Sequence, residues 1–302
     1  MFKHILVPLD GTHLAEAALA PVAQLAARLD AAITLVHIIE KSAPVEVHGD
    51  RHLTDVEGAG RYLAQIAQRP FLAALRVETH VHSAEVSDVA RSIAEHEAEL
   101  APDLIVMAAH GKRDARQLIV GTIAQQVIAL GRTPVLVIRP SDAGGQLFTP
   151  GGTGLVLVPI DRSAEHEGAL PVAAELAAAF GLRLHLLMVV PKVGDLRGSE
   201  SAAALVSPNA MRLRLQMDSE GADEYLKTIA AKSIAAGTAV TTEMTRGDVP
   251  GAIVETARGL KAELIVMGTH GKAGSEAFWS ESVAASVATR TELPVLLVPV
   301  RH

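Results

Sequence analysis

The stretch LIVMAAHGK at residues 104–112 returns almost unchanged as LIVMGTHGK at residues 264–272. Two more stretches recur in the same order, HILVPLD (4–10) as LVLVPID (155–161) and TPVLVI (133–138) as LPVLLV (293–298). Ordered motifs that occur twice indicate an internal duplication. The fold must therefore be one that a chain of half this length can adopt.

The spacing of the motifs divides the 302 residues into two domains of similar length. We predict domains at 1–140 and 154–302, joined by a linker at 141–153 that is rich in glycine, serine and proline. The offset between matching motifs grows along the chain. We place most of the extra residues in Pro191–Pro208, and we interpret this segment as a mobile loop over the second domain's site.

Composition excludes several classes of protein. The chain has no cysteine, which excludes a disulfide scaffold and a thiol catalyst. The formal net charge is −7, so the basic excess needed for non-specific nucleic-acid binding is missing. No apolar run reaches the roughly 18–20 residues of a membrane span, and the N-terminal apolar stretch is too short for a signal peptide. We expect a cytoplasmic protein with neither nucleic acid nor membrane as partner.

Within each copy, short runs of valine, isoleucine and leucine alternate with long alanine-rich segments of helical period. Strands that are apolar throughout are buried on both faces, as in a parallel sheet covered by helices. We predict an α/β fold of two tandem doubly wound domains, each with a five-stranded parallel sheet flanked by helices. Ligands bind such sheets at the carboxyl ends of the strands, where strand order reverses.

The loop after the fourth strand has glycines that suit a phosphate. Gly111 is followed, after nine residues, by Gly121 and Thr122 at the predicted start of a helix. Free N–H groups, a hydroxyl and the positive end of the helix dipole favour phosphate there. The alternative is a tight turn at Gly111 and a simple helix cap at Thr122. The spacing matches neither a P-loop nor a dinucleotide fingerprint.

Taken together, these motifs resemble the universal stress protein family. The glycine pattern after a strand such as LIVM, a first strand that ends in VPLD and a last strand that begins with PVLV are all similar to the family's nucleotide-binding region. The resemblance covers both halves. It implies a Rossmann-like fold of the adenine-nucleotide α-hydrolase type, in a family of which some members bind ATP and others do not.

The resemblance also implies a nucleotide site in the first copy. Asp10 would lie near the ribose or adenine, and the backbone of Ile38 would meet the adenine edge. The other residues implied at the site are Ala108, Gly111, Gly121 and Thr122 along the ribose and phosphates, with Pro8, Met107 and His110 beside them. Ala108 departs from the family pattern, which has glycine there. The implied cofactor is ATP, with or without Mg²⁺.

The second copy departs further from the family pattern. It keeps Asp161 and Gly268, but Glu281 stands where the first copy has Gly121. A carboxylate at about 4 Å from a triphosphate costs several kcal/mol in partly shielded surroundings. We therefore expect the first copy to be the nucleotide site and the second to be degenerate.

Two other interpretations concern single residue types. Asp10 and Asp161 follow buried strands, and either can instead cap the next helix. His80 and His82 share one face of a predicted strand, and His48 and His52 are four residues apart. Because no cysteine or suitably spaced carboxylate accompanies them, we predict no metal site.

The function predicted is a stress-response regulatory protein that binds ATP. No clear general base or pair of Mg²⁺ carboxylates is present, so we do not predict an enzyme beyond slow ATP hydrolysis. The alternative is a nucleotide-independent interaction or scaffold protein that acts through a dimer-like surface. We expect the copies to form an internal pseudo-dimer through the last strands, 135–138 and 295–298. A homodimer of two chains is a further alternative, and the protein partner is unidentified.

Overall fold

The computed structural model describes residues 2–43, 46–47, 50–109, 122–139, 147–148, 154–163, 165–196, 198–234, 238–269 and 282–300. The chain forms two compact units. They are Met1–Leu147 with Thr269–Pro299, and Phe148–Gly268 with Val300–His302.

The first unit is built on a sheet of parallel strands that are mostly buried, except for the strand at its edge, Val77–Val86. Its strands up to residue 139 are β1 (His4–Pro8), β2 (Ala32–Glu40), β3 (Glu46–Val47), β4 (Asp50–Arg51), β5 (Val77–Val86), β6 (Leu104–Ala108) and β7 (Val135–Ile138). Strands β5, β2, β1, β6 and β7 lie side by side in that order and are parallel. This confirms the predicted five-stranded sheet. The two short strands β3 and β4 pair as a separate antiparallel ribbon that the sequence did not predict.

Five helices accompany these strands. They are α1 (His13–Glu16), α2 (Leu19–Leu29), α3 (Val56–Ala67), α4 (Val89–Leu100) and α5 (Thr122–Leu130). The N-terminal ends of α3 and α4 are set by Asp55 and Asp88, whose carboxylates accept hydrogen bonds from the N–H groups of Gly58 and Arg91. The helical segment after β1 is divided into α1 and α2, since α1 ends one turn after it begins.

The second unit repeats the arrangement of β1, β2, β5 and β6. Its strands are β8 (Leu155–Pro159), β9 (Arg183–Val190), β10 (Val240–Arg246) and β11 (Leu264–Thr269), and their order is β10, β9, β8, β11. All are parallel. The helices are α6 (Ala169–Phe180), α7 (Gly198–Val206), α8 (Pro208–Ile234) and α9 (Val249–Gly259), with short 3₁₀ turns at His166–Gly168 and Val193–Asp195.

The last two elements belong to the first unit. Helix α10 (Val283–Arg290) leads to β12 (Val295–Pro299), and β12 pairs antiparallel with β7. In that pair Leu296 lies opposite Leu136, and both side chains are buried. The predicted pairing of the two last strands is confirmed. The domain boundaries at 1–140 and 154–302 and the packing of the two copies as an internal pseudo-dimer remain predictions.

Two predicted segments differ from simple loops. Pro191–Pro208 contains α7, so the prediction of a mobile loop was wrong; the alanines at 202–204 favour a helix despite the flanking glycine, serine and proline. In the predicted linker, the Leu147 N–H donates to Gln24 Oε1 at 2.9 Å, within the first unit. The ring of Phe148 packs at 4.3 Å from that of Phe180, within the second.

Over the part of the chain that the structure describes, no helix has the length and apolar character to cross a membrane.

Candidate functional site

The candidate site lies at the point where strand order reverses in the first unit. From β1 the chain proceeds to β2 and β5 on one side of the sheet and then to β6 and β7 on the other. The carboxyl ends of β1, β2 and β6 therefore meet at one edge. The structure brings Pro8, Asp10, Ile38, Met107 and Ala108 to this edge. His110, Gly111 and Gly121 lie outside the described residues, and Thr122 begins α5.

Asp10 organises the loop after β1. Its Oδ1 accepts hydrogen bonds from the Thr12 N–H at 2.9 Å and from the Thr12 hydroxyl at 2.7 Å. Thr12 Oγ1 in turn accepts from the Ala15 N–H and caps α1. Gly11 between them has φ 93°, a conformation that side chains other than glycine rarely adopt. Thr12 is therefore the N-cap of α1, and Asp10 orients Thr12. The alternative in which Asp10 itself caps this helix is wrong.

A buried histidine that sequence reasoning missed holds the same loop. His37 lies on β2 and is 1% exposed. Its Nδ1 is 2.7 Å from the carbonyl oxygen of Leu9, and its Nε2 is 3.0 Å from that of Leu53. The imidazole thereby ties the residue before Asp10 to the strand that carries Ile38. The signal in the sequence is a histidine inside a strand that is otherwise mostly apolar.

The two repeats share a second polar contact that the motifs do not reveal. Tyr62 on α3 donates its hydroxyl to Glu16 Oε1 at 3.1 Å, and Tyr225 on α8 donates to Glu167 Oε1 at 2.8 Å. Burial raises the pKa of both phenols, and the adjoining carboxylates raise it further. The chain has two tyrosines in all, and each makes this contact. Arg69 adds an ion pair to Glu16 at 2.5 Å.

At the matching edge of the second unit, a histidine stands where the first repeat has an alanine. Counting from the aspartate, His166 stands where the first repeat has Ala15. Asp161 Oδ1 accepts from the Ser163 N–H at 2.8 Å, and His166 Nδ1 lies 2.8 Å from the same oxygen. The hydrogen bond to Asp161 raises the pKa of His166. Burial opposes ionisation of Asp161, but the hydrogen bonds from His166 and Ser163 outweigh it and lower the pKa of that carboxyl.

His166 also packs against the glycine of the second repeat's loop motif. A Cβ on Gly268 would lie 3.1 Å from His166 Cδ2 and 3.0 Å from Val300 Cγ1, closer than ordinary contacts. The first repeat has the opposite pair of sizes, with Ala15 on α1 and Ala108 at the end of β6, and α1 contacts β6. The departure of Ala108 from the family's glycine therefore coincides with a smaller residue at position 15.

The helix after the second repeat's loop is capped by its own serine. Ser282 Oγ accepts from the Ala285 N–H at 3.0 Å, so this residue, which matches Thr122, acts as a cap. Glu281 lies outside the described residues, and its effect on a triphosphate remains a prediction.

One histidine cluster joins residues that the sequence had only partly connected. His80 and His82 of β5 meet His96 of α4. Burial and the neighbouring His96 lower the pKa of His80. His48 lies outside the described residues, and His52 is buried without being part of this cluster.

Comparisons with known proteins agree with this architecture. The model of the family described as "Universal stress protein family" matches residues 1–139 and again 154–299. A universal stress protein of Methanocaldococcus jannaschii is 32% identical over 146 residues, which are 47% of this chain and 80% of that protein. A relative from Staphylococcus haemolyticus is 28% identical over 161 residues, 49% of this chain and 94% of its own length.

A solved structure extends the likeness over both halves. The crystal structure of a universal stress protein from Archaeoglobus fulgidus aligns with 99% of this chain and 96% of its own, with a TM-score of 0.68 and 17% identity. At that identity the likeness concerns the fold. The two regions matched by the family model show that the chain belongs to the universal stress protein family and carries the family's domain twice.

Proposed function

We propose that the chain is a cytoplasmic stress-response regulatory protein that binds an adenine nucleotide, ATP with or without Mg²⁺, in its first repeat. The proposed site is the edge where β1, β2 and β6 end, around Asp10, Ile38 and Ala108. Membership of the family supports this ligand class, because the glycine motif of the chain resembles that of its ATP-binding members. The stress-response role rests on the family alone.

The contrast between Ala15 and His166 carries the choice of repeat. In the second unit the imidazole of His166 packs on Gly268 and bonds to Asp161, so it fills the strand edge at which the family resemblance places ribose and phosphate. In the first repeat the methyl group of Ala15 stands at that position. A methyl group cannot reach across the edge as an imidazole does. The first edge is therefore the better candidate to accept a nucleotide.

Asp10 is the side chain best placed to select a ribose. The Thr12 N–H and hydroxyl both donate to Oδ1, which fixes the orientation of the carboxylate at the end of β1. A preoriented carboxylate loses little rotational freedom on binding and accepts hydrogen bonds strongly from hydroxyl groups. We assign it to the ribose hydroxyls rather than to the phosphates, which would repel it.

Titration of the full chain with ATP by isothermal calorimetry tests the proposal. We expect one molecule of ATP per chain. The Asp10→Ala variant should lose roughly 10–100-fold in affinity, which corresponds to about 1.5–3 kcal/mol for a hydrogen bond to a charged group. The matched Asp161→Ala variant should bind ATP as the wild type does. Two sites per chain, or loss in the Asp161 variant alone, contradicts the proposal.

A nucleotide-independent scaffold is the second candidate, and one residue favours it. Ala108 is 6% exposed and carries a methyl group where the family has glycine. If that methyl closes the edge, the Ala108→Gly variant will bind ATP while the wild type does not. Mass spectrometry of the wild-type protein as purified adds an independent test, because co-purified adenine nucleotide supports the first candidate and its absence supports the scaffold.

A further inference from the structure

Three histidines of the first unit converge between strand β5, at the edge of its sheet, and helix α4. His80 and His82 are two residues apart on β5, so their side chains leave the same face of the sheet, and His96 lies on α4. One ring nitrogen from each lies within 4.8 Å of the other two. His80 Nε2 and His96 Nε2 are 3.1 Å apart. Three nitrogens of the same chemical type thus share one small volume.

The protonation pattern of His96 suits a metal ligand. His96 is 2% exposed, and its Nδ1 lies 2.6 Å from the carbonyl oxygen of Ser92. A carbonyl oxygen only accepts hydrogen bonds, so Nδ1 carries a proton, and Nε2, which faces His80, is the nitrogen available to a metal ion. Metal-bound histidines usually make this kind of second contact, which fixes the ring and its tautomer.

The distances are close to those of a tetrahedral zinc site. Zn–N bonds of 2.0–2.1 Å at tetrahedral angles place ligand nitrogens about 3.3 Å apart. The Nε2 atoms of His80 and His96 are already close to that spacing. All three ligand nitrogens lie within 4.8 Å of one another, so the third nitrogen needs to move by no more than about 1.5 Å to reach it. His80 and His82 are half-buried, so rotation of their side chains can supply it.

A carboxylate stands beside the three rings. Glu99 Oε2 lies 3.7 Å from His96 Nε2, on the next turn of α4, and its side chain is 61% exposed. It can reach a metal ion held by the three imidazoles without being buried itself. A structural site is closed by a fourth ligand of this kind, whereas a water molecule would leave the position open.

We propose that His80, His82 and His96 bind a divalent transition-metal ion of the zinc class, with Glu99 or a water molecule as fourth ligand. Imidazole nitrogens favour zinc, copper and nickel, whereas magnesium and calcium prefer oxygen ligands. The bound ion would link the edge strand β5 to α4. His82 lies opposite Ile38 in the register of β2 and β5, but the proposed metal site uses none of the nucleotide-site residues and does not depend on that site.

The duplication predicts the stoichiometry. Sheet register places Val36 opposite His80 and Leu187 opposite Glu243, and it places Thr245 at the position of His82. The second repeat therefore has a glutamate and a threonine where the first has two ligands. We expect one such site per chain.

The test is titration of the chelator-stripped full chain with Zn²⁺ in competition with a chromophoric chelator. Wild type should bind one ion tightly. Mutation of residues that only support metal ligands lowers metal affinity roughly 10–100-fold. The variants His82→Gln and His96→Gln each remove a proposed ligand, so each should lose at least that much affinity. His4→Gln is the matched control, since His4 belongs to the same unit but contacts Thr34 Oγ1 at 2.8 Å. It should keep the affinity of the wild type.

Because His96 is buried, its variant is vulnerable to misfolding, and His82→Gln at the half-buried edge then decides. Equal affinity in wild type and His82→Gln overturns the proposal, as does the absence of a stoichiometric Zn²⁺ site in the wild type. A loss that His4→Gln shares equally also overturns it, because zinc would then be binding to histidines in general.

Discussion

In the second unit, His166 Nδ1 lies 2.8 Å from Asp161 Oδ1, and the same imidazole packs on the position where Gly268 lacks a side chain. His166 thus contacts both Asp161 and Gly268, the two residues that by the family resemblance would face a nucleotide. The first repeat has alanine at that position, so a single difference in size separates the two edges.

This ion pair should make the stability of the second unit depend on pH. Ordinary pKa values are 6.5 for histidine and 3.8 for aspartate; that of His166 is raised and that of Asp161 is lowered. A raised histidine pKa stabilises fully below 6.5 and is lost as pH rises through the raised value. A lowered aspartate pKa stabilises above 3.8 and is lost as pH falls through the lowered value. The pair is therefore complete between about pH 4 and pH 6.5.

We expect His166→Gln to be less stable than wild type at pH 5.5 and nearly equal to it in alkaline solution. Since Asp161 is 58% exposed, the difference should be no more than about 1 kcal/mol. Urea unfolding at several pH values measures it, and NMR titration of the imidazole gives the pKa directly. A His166 pKa below 6.5, or a stability difference that does not vary with pH, contradicts this prediction.

Gly268→Ala should destabilise the second unit by about 1–3 kcal/mol, because the new methyl group meets His166 and Val300 at about 3 Å. The double variant with His166→Ala should recover most of that loss, since it restores the pair of sizes found at Ala15 and Ala108. Gly259→Ala is the control, because a Cβ there meets nothing within 4 Å. If Gly268→Ala unfolds at the same urea concentration as the control, His166 does not pack as described.

The paired tyrosines give a prediction that absorbance can follow. Tyr62→Phe removes a hydrogen bond to Glu16 and should cost about 1.5–3 kcal/mol, the range for bonds to charged groups. Tyr225→Phe should cost less, because its phenol is less buried than that of Tyr62. Both phenols should ionise well above pH 10 in the folded protein. Ionisation of either tyrosine at its ordinary pKa would show that the contact is not made.

The buried strands were predictable because continuous apolar runs such as Leu104–Ala108 have few other uses, and the duplication supported their assignment. The packing of His166 on Gly268 was not, since it joins residues about a hundred positions apart whose sizes are compensated only in space. His96 was missed for a similar reason: a histidine on a helix shows no sign of the strand it faces. At α7, composition misled, because a run of alanines outweighed its glycine and proline neighbours.

Thr12 offers a test of how the first site is held in place. Its hydroxyl donates to Asp10 and accepts from the Ala15 N–H, so Thr12→Val removes both contacts while keeping the shape of the side chain. We expect a loss of about 0.5–2 kcal/mol in the free energy of unfolding, as for other helix caps, and weaker ATP binding because Asp10 is then held only by the backbone N–H of residue 12. Thr12→Ser keeps the hydroxyl and should behave as wild type in both measurements. If valine lowers stability but leaves the affinity for ATP unchanged, Thr12 acts only as a cap, and the orientation of Asp10 is not what binds the ribose.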